Sequence, residues 1–171
     1  MKKSQSGFTL VELVVVILIL GILSATALPR FMNINDQAHK AGVSGAAGGF
    51  GAGVALARAQ WIANQEAPGE DTVANFGGGN VAVATSTAIS QAGWPTGTTG
   101  ADNIVNPAQC VGLWTGIMQN PPTVSSTLTT TDYTATSTST SNCIYTYNKD
   151  AANTRSITYT ILDGSLIVVN P

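Results

Sequence analysis

One carboxylate stands where a carboxylate is unfavourable. Glu12 lies inside Phe8–Leu28, a run of about 21 residues with no other charge. An acid near the centre of a bilayer helix costs about 2.5–3.5 kcal/mol on insertion scales, so such a group is normally paired or functional. Just before it comes Gly7-Phe8. Cutting that peptide bond would free an amine at Phe8, close in sequence to Glu12. The chemistry on offer is therefore proteolysis followed by charge pairing. In a staggered bundle of identical helices, Glu12 of one copy can meet the new amine of another. The two buried charges neutralise each other and set the axial register. Such pairs add little net stability, and fixing register is their best-attested use.

Other reactive residues give weaker signals. Cys110 and Cys143 stand 33 positions apart, which fits no zinc pattern and no redox CxxC. Downstream of a membrane segment they read as one structural disulfide made outside the cytoplasm, against the alternative of two separate buried thiols. The loop-entropy gain for such a ring is about 3–4 kcal/mol. His39 is the only histidine and has no partner motif, so it reads as a solvated helix residue rather than a base or ligand. Asp150 and Asp163 lie near the C-terminus without an acidic cluster, weak ground for calcium. The glycine-rich Gly48–Gly53 has no strand before it, and Val54 occupies the last position of what would be GxGxxG. No triad, HExxH or Walker pattern is present. No enzyme activity, cofactor or metal is expected. Charged residues make up only 9% and the net charge is -2, so nothing suggests nucleic-acid steering.

The elements that position these groups begin with the N-terminal helix. From Phe8 to Leu28 it would span roughly 31 Å, matching a hydrocarbon core of about 30 Å. Lys2 and Lys3 precede it, placing the start in the cytoplasm and the remainder across the membrane. Three readings compete. An ordinary signal peptide would use Ala25-Thr26-Ala27 as its cleavage site and leave a secreted binding module starting at Leu28. A plain anchor leaves Glu12 unexplained. A short leader cut after Gly7 accounts for it.

Here the residues resemble a known family. Gly7-Phe8-Thr9-Leu10-Val11-Glu12, followed by the apolar run with Gly21 and Pro29, is similar to the N-termini of type IV pilins and type II secretion pseudopilins. The resemblance implies cleavage after Gly7 by a prepilin peptidase, N-methylation of Phe8, Glu12 as the assembly residue, and Gly21 and Pro29 as helix-loosening positions. It implies no catalytic residues. It also implies a homo-oligomeric helical filament, an inner-membrane precursor, and an assembly ATPase, platform protein and outer-membrane secretin encoded elsewhere. Shorter likenesses narrow it towards mannose-sensitive haemagglutinin (MSHA) pilins: Pro29-Arg30-Phe31, Gly93-Trp94-Pro95, and Cys110 followed by Leu113-Trp114. The strong resemblance covers about the first 31 residues.

Beyond the membrane run, Val43, Ala47, Phe50, Val54, Ala57 and Trp61 recur at helical steps and predict one apolar stripe. The helix is expected to run on to Ile62. Pro29 inside it would either kink it or mark where it stretches open in a polymer. Gly45, Gly49 and Gly53 share a face, suited to close contact with a sheet or with neighbouring helices. Pro68-Gly69 and Gly77–Asn80 mark loops, and Val81–Gln91 is ambiguous between strand and helix. Trp94–Pro107 reads as an extended connection and Val111–Met118 as a short helix. Ser125–Ser141 is a Ser/Thr-rich loop or strand. Cys143–Tyr147, Ser156–Leu162 and Leu166–Val169 alternate as strands, with Asp163-Gly164 as a two-residue hairpin turn. The expectation is an α+β chain. It comprises a leader of residues 1–7, a spine helix 8–62 with 8–28 as its membrane and polymerisation half, and a head 63–171. The helix packs on an antiparallel C-terminal sheet with one disulfide.

Overall fold

The computed structural model describes residues 7–65, 72–76, 79–85, 92–98, 106–139 and 141–170, without the side chains of Met32, Ala74, Asn75 and Ser139. The loop signal at Pro68-Gly69 and the first half of the expected loop Gly77–Asn80 lie outside these residues, as do most of the expected connection before Pro107 and the second half of Val81–Gln91. Gly79 and Asn80 are not loop but the start of a strand, Gly79–Val83. Helix α1 covers Leu10–Ala63 and includes Pro29. The chain divides into two compact units, residues 1–38 and 39–171. As a packing unit the head therefore begins at His39, inside α1.

Within the head, two sheets, one antiparallel and one antiparallel but for its first pair, and a second helix meet α1. Strands β1 (Thr72–Phe76), β2 (Gly79–Val83) and β3 (Pro95–Gly97) form a small sheet in that order. Helix α2 covers Pro107–Ile117. Strands β4 (Val124–Ser125), β5 (Tyr133–Ser139), β6 (Asn142–Tyr147), β7 (Ser156–Thr160) and β8 (Leu166–Val169) form the larger sheet, also in sequence order. Every pairing is antiparallel except β4 with β5. The expected α+β layout, with a spine helix against an antiparallel C-terminal sheet and one disulfide, is borne out.

The stripe on α1 organises this layer. Val43, Ala47, Phe50, Val54, Ala57 and Trp61 are all buried. Val43 to Val54 pack with Cys110, Leu113, Trp114 and Ile117 of α2 and with the inward residues of the larger sheet. Trp61 instead joins Val73, Val83 and Ala92 at the smaller sheet. A single periodic stripe thus serves two sheets. At its centre the Phe50 ring lies 5.3–5.4 Å from those of Trp114, Tyr145 and Tyr159. Each such pair adds about 0.5–1.5 kcal/mol beyond area burial. The polar ends of these rings are satisfied. Trp114 Nε1–H donates to Pro122 O, Tyr145 Oη–H to Cys110 O and Tyr159 Oη–H to Pro95 O, each at 2.9 Å.

Several local expectations are corrected. Helix α2 starts at Pro107, before the expected Val111, because Asn106 and Gln109 form a reciprocal cap around Pro107 at the first turn. This puts Cys110 on the helix, where it bonds Cys143 on β6. The Ser/Thr-rich segment divides. A hydrogen-bonded loop runs to Asp132, and then Tyr133 and Ala135 turn inward as strand β5. Asp163-Gly164 is not a two-residue turn. Tyr159 pairs with Leu166, and only Gly164 takes positive φ (70°). The loop is longer because Ile161 dives into the core. His39 is not simply solvated, since its Nδ1 lies 3.3 Å from Tyr147 Oη. Asp150 holds the buried Arg155 through Nε at 2.7 Å, while Asp163 accepts from its own loop at Ser165 N–H.

The glycine-rich stretch of α1 is continuous helix, and its glycines are not equivalent. A Cβ on Gly53 would come within 2.6 Å of Ile117 O, whereas one on Gly48 meets nothing within 4 Å. Of the face Gly45, Gly49 and Gly53, only Gly53 closely approaches α2 of the same chain, and Gly45 faces open space. Gly48→Ala is therefore expected to raise stability by up to about 1 kcal/mol, the usual helix preference for alanine. Gly53→Ala should lower it by about 1–3 kcal/mol through overpacking. Thermal unfolding of the detergent-solubilised protein followed by near-UV dichroism checks both.

The Arg155 guanidinium beside Asp150 draws that carboxyl down to about 2, helped by bonds from Asn153 and Ala152. A depressed carboxyl supports the fold above its ordinary value and loses that support as pH falls through its folded value. Head stability should therefore fall as pH drops from about 4 towards 2. Asp150→Asn should flatten that part of the profile, as read by unfolding across the pH series.

Candidate functional site at the start of the N-terminal helix

Residues 7–9 lie outside any helix and α1 begins at Leu10. The reason is local. Thr9 N–H and Thr9 Oγ1–H both donate to Glu12 Oε2, each at 2.8 Å, and Glu12 N–H donates to Thr9 Oγ1 at 3.2 Å. Leu13 N–H then makes the first helical bond, to Thr9 O, at 3.3 Å. This is a capping box, in which residues three apart satisfy each other's otherwise orphaned backbone donors. A carboxylate in the first turn also meets the positive end of the helix dipole. The Thr-x-x-Glu spacing carries this signal in the sequence. Thr9 is thus a functional position in its own right, beyond its place in the family pattern.

Behind the cap, α1 exposes its apolar surface. Phe8, Leu10, Val11, Leu13 to Leu20, Ile22, Leu23 and Leu28 are all exposed, Phe8 at 83%. Among the described residues α1 is the one helix long and apolar enough to cross a membrane. Continuous oily surface of this extent has to be covered by lipid or by protein. The Thr26 hydroxyl in the run's second half is internally satisfied, because its Oγ1–H donates to Leu23 O at 3.0 Å.

The sequence-derived residues fall into two groups. Gly7 and Phe8 precede the helix, Glu12 lies in its first turn, and Gly21 and Pro29 lie within it. Cys110 and Cys143 belong to the head core, where both are fully buried and bonded to each other. Among the described residues no cluster of three or more His, Cys, Asp or Glu could hold a metal ion.

Comparison with known proteins agrees with this geometry. Residues 2–28 match the family model described as the prokaryotic N-terminal methylation motif. The type IV narrow pilus major component PilA5 of Thermus thermophilus is 48% identical over 54 residues, 32% of this chain and 47% of that protein. The type II secretion system core protein G of Pseudomonas aeruginosa is 54% identical over 37 residues, 22% of this chain and 26% of that one. A type IV major fimbrial protein FimA of Dichelobacter nodosus is 54% identical over 33 residues, 19% of this chain and 21% of that one. The chain thus spans less than half the length of the curated relatives it matches. No solved structure matches it. The chain is thus similar, over its methylation-motif segment and part of its length, to type IV pilins and to a type II secretion system core protein.

Proposed function

We propose that this chain is a non-enzymatic structural subunit of a type IV pilus, made as a membrane-anchored precursor and polymerised into a surface fibre. One observation carries the reading: the uncovered oily run Phe8–Leu28, whose only acid sits in the first turn of α1, shortly after an unhelical Gly7-Phe8 junction. A prepilin peptidase cuts after Gly7 and Phe8 is N-methylated. Lipid of the inner membrane covers the helix first, and the helices of other copies cover it in the fibre. Glu12 then pairs with the Phe8 amine of another copy, and Gly21 and Pro29 are where the helix loosens. An assembly ATPase and a platform protein drive the exchange. The leader, spine and head are residues 1–7, 8–62 and 63–171.

The finer reading is an MSHA-like pilus used for adhesion and biofilm formation. It is supported by Gly93-Trp94-Pro95 and by Cys110 with Leu113-Trp114. A second reading, a pseudopilin of a type II secretion system, is favoured by the 54% identity to core protein G. Deleting the gene discriminates the two: loss of long surface fibres supports the pilus, and loss of an exported enzyme supports the pseudopilus.

Two measurements test the common core. Mass spectrometry of the purified mature chain should find a methylated N-terminus at Phe8. A start at Leu28 would instead indicate an ordinary signal peptide and a secreted binding module. Glu12→Ala should still be cleaved and inserted. Its assembly should fall by more than about tenfold, because an amine buried without its acid is strongly unfavourable. Normal fibres from that variant would remove the pairing argument.

A further inference from the structure

The bonding at the start of α1 engages only half of the Glu12 carboxylate. Both Thr9 donors converge on Oε2, and among the described residues Oε1 accepts no hydrogen bond. A carboxylate offers about four lone-pair sites, so Oε1 keeps its full accepting capacity. The side chain cannot swing freely, because rotation would break two bonds to a group that itself accepts the Glu12 amide. We propose that Thr9 is a positioning residue for assembly: it clamps Oε2 to its own chain and leaves Oε1 to accept the Phe8 amine of a second copy. The inference rests on cleavage after Gly7 and on pairing of Glu12 between copies.

The clamp suits both stages of the subunit's life. In the bilayer the helix start lies at the edge of the hydrocarbon core, where an unsatisfied polar group is unfavourable. The clamp gives the carboxylate two donors and also satisfies the amides of Thr9 and Glu12. In the fibre, a carboxylate already fixed in one rotamer loses little further freedom on meeting the amine. The cleavage position is matched to this arrangement. Cutting before Phe8 leaves Thr9 N–H as an amide, so the clamp survives and the adjacent amine is offered to a neighbour. A cut one residue later would put the charged amine on Thr9 itself, where it would face Glu12 of its own chain rather than be offered to a neighbour.

The test measures incorporation into fibres of the co-produced parent, relative to the cleaved, membrane-inserted pool. The full-length variants are Thr9→Val, Thr9→Ser, Glu12→Gln and the double Thr9→Val/Glu12→Gln. Thr9→Val should incorporate about tenfold less and Thr9→Ser within about twofold of parent, a coupling typical of residues in one hydrogen-bonded network. On the Glu12→Gln background, Thr9→Val should change incorporation by less than about twofold, because no charge remains to be aimed. Glutamine still completes a capping box, so a purely structural cap would give the same loss on both backgrounds, and that result would overturn the inference. Parental incorporation by Thr9→Val would overturn it equally, with the Phe8 start left standing. If the parent itself did not begin at Phe8, the cleavage reading and this inference would fall together.

Discussion

Apolar surface on a helix has to be covered, and α1 presents it in two patterns that call for two solutions. From Leu10 to Leu28 the oily residues surround the helix, and nothing in the described chain covers them. From Val43 to Trp61 they form one stripe, and the chain folds two sheets and α2 over it. A helix hydrophobic on all sides belongs in lipid or in a protein interior, whereas one with a single stripe belongs at the edge of a domain. The change in periodicity along one element therefore separates a part that needs an outside partner from a part that the chain completes by itself.

Polar atoms in this structure follow the same logic of local completion. Glu12 is held by Thr9 within one helical turn, and the Thr26 hydroxyl turns back to a carbonyl of its own helix. In the head core the deep tyrosines Tyr145 and Tyr159 each find a backbone carbonyl, and burial pushes both phenols up in pKa. The carbonyl used by Tyr145 belongs to Cys110, so a hydrogen bond and a disulfide tie α2 to β6 at neighbouring points. Few charges are needed for such a fold. One of them, Arg155, is buried against Asp150 and also donates to Asn170 O at 2.6 Å, which fastens the end of the chain.

Small residues on α1 do more than lower its helical propensity. Gly53 lets the end of α2 approach the helix backbone, while the Cβ sites at Gly42, Gly45 and Gly48 face open space. Those open positions give up alanine's propensity without any packing return inside the chain. A surface of small, uncharged residues is also what close contact between backbones requires.

What the sequence by itself determined was whatever local chemistry fixes. A lone acid in an apolar run, the Gly7-Phe8 junction, the stripe from Val43 to Trp61 and the alternating strands after Cys143 were legible, because helix and strand periods are written directly into residue order. The pairing of Cys110 with Cys143 was legible because only two cysteines exist. Two caps were equally local, at Thr9–Glu12 and Asn106–Gln109, yet went unread because each depends on a reciprocal pair of side chains rather than on a period. Tertiary structure decided the rest. It split one stripe between two sheets, made a strand of the Ser/Thr-rich Tyr133–Ser139, opened the Asp163-Gly164 turn so that Ile161 could be buried, and chose α2 as the neighbour of Gly53. These outcomes turn on which surfaces meet across long separations. A residue's own neighbours in the chain carry no record of that, because burial and close approach are properties of the packed whole.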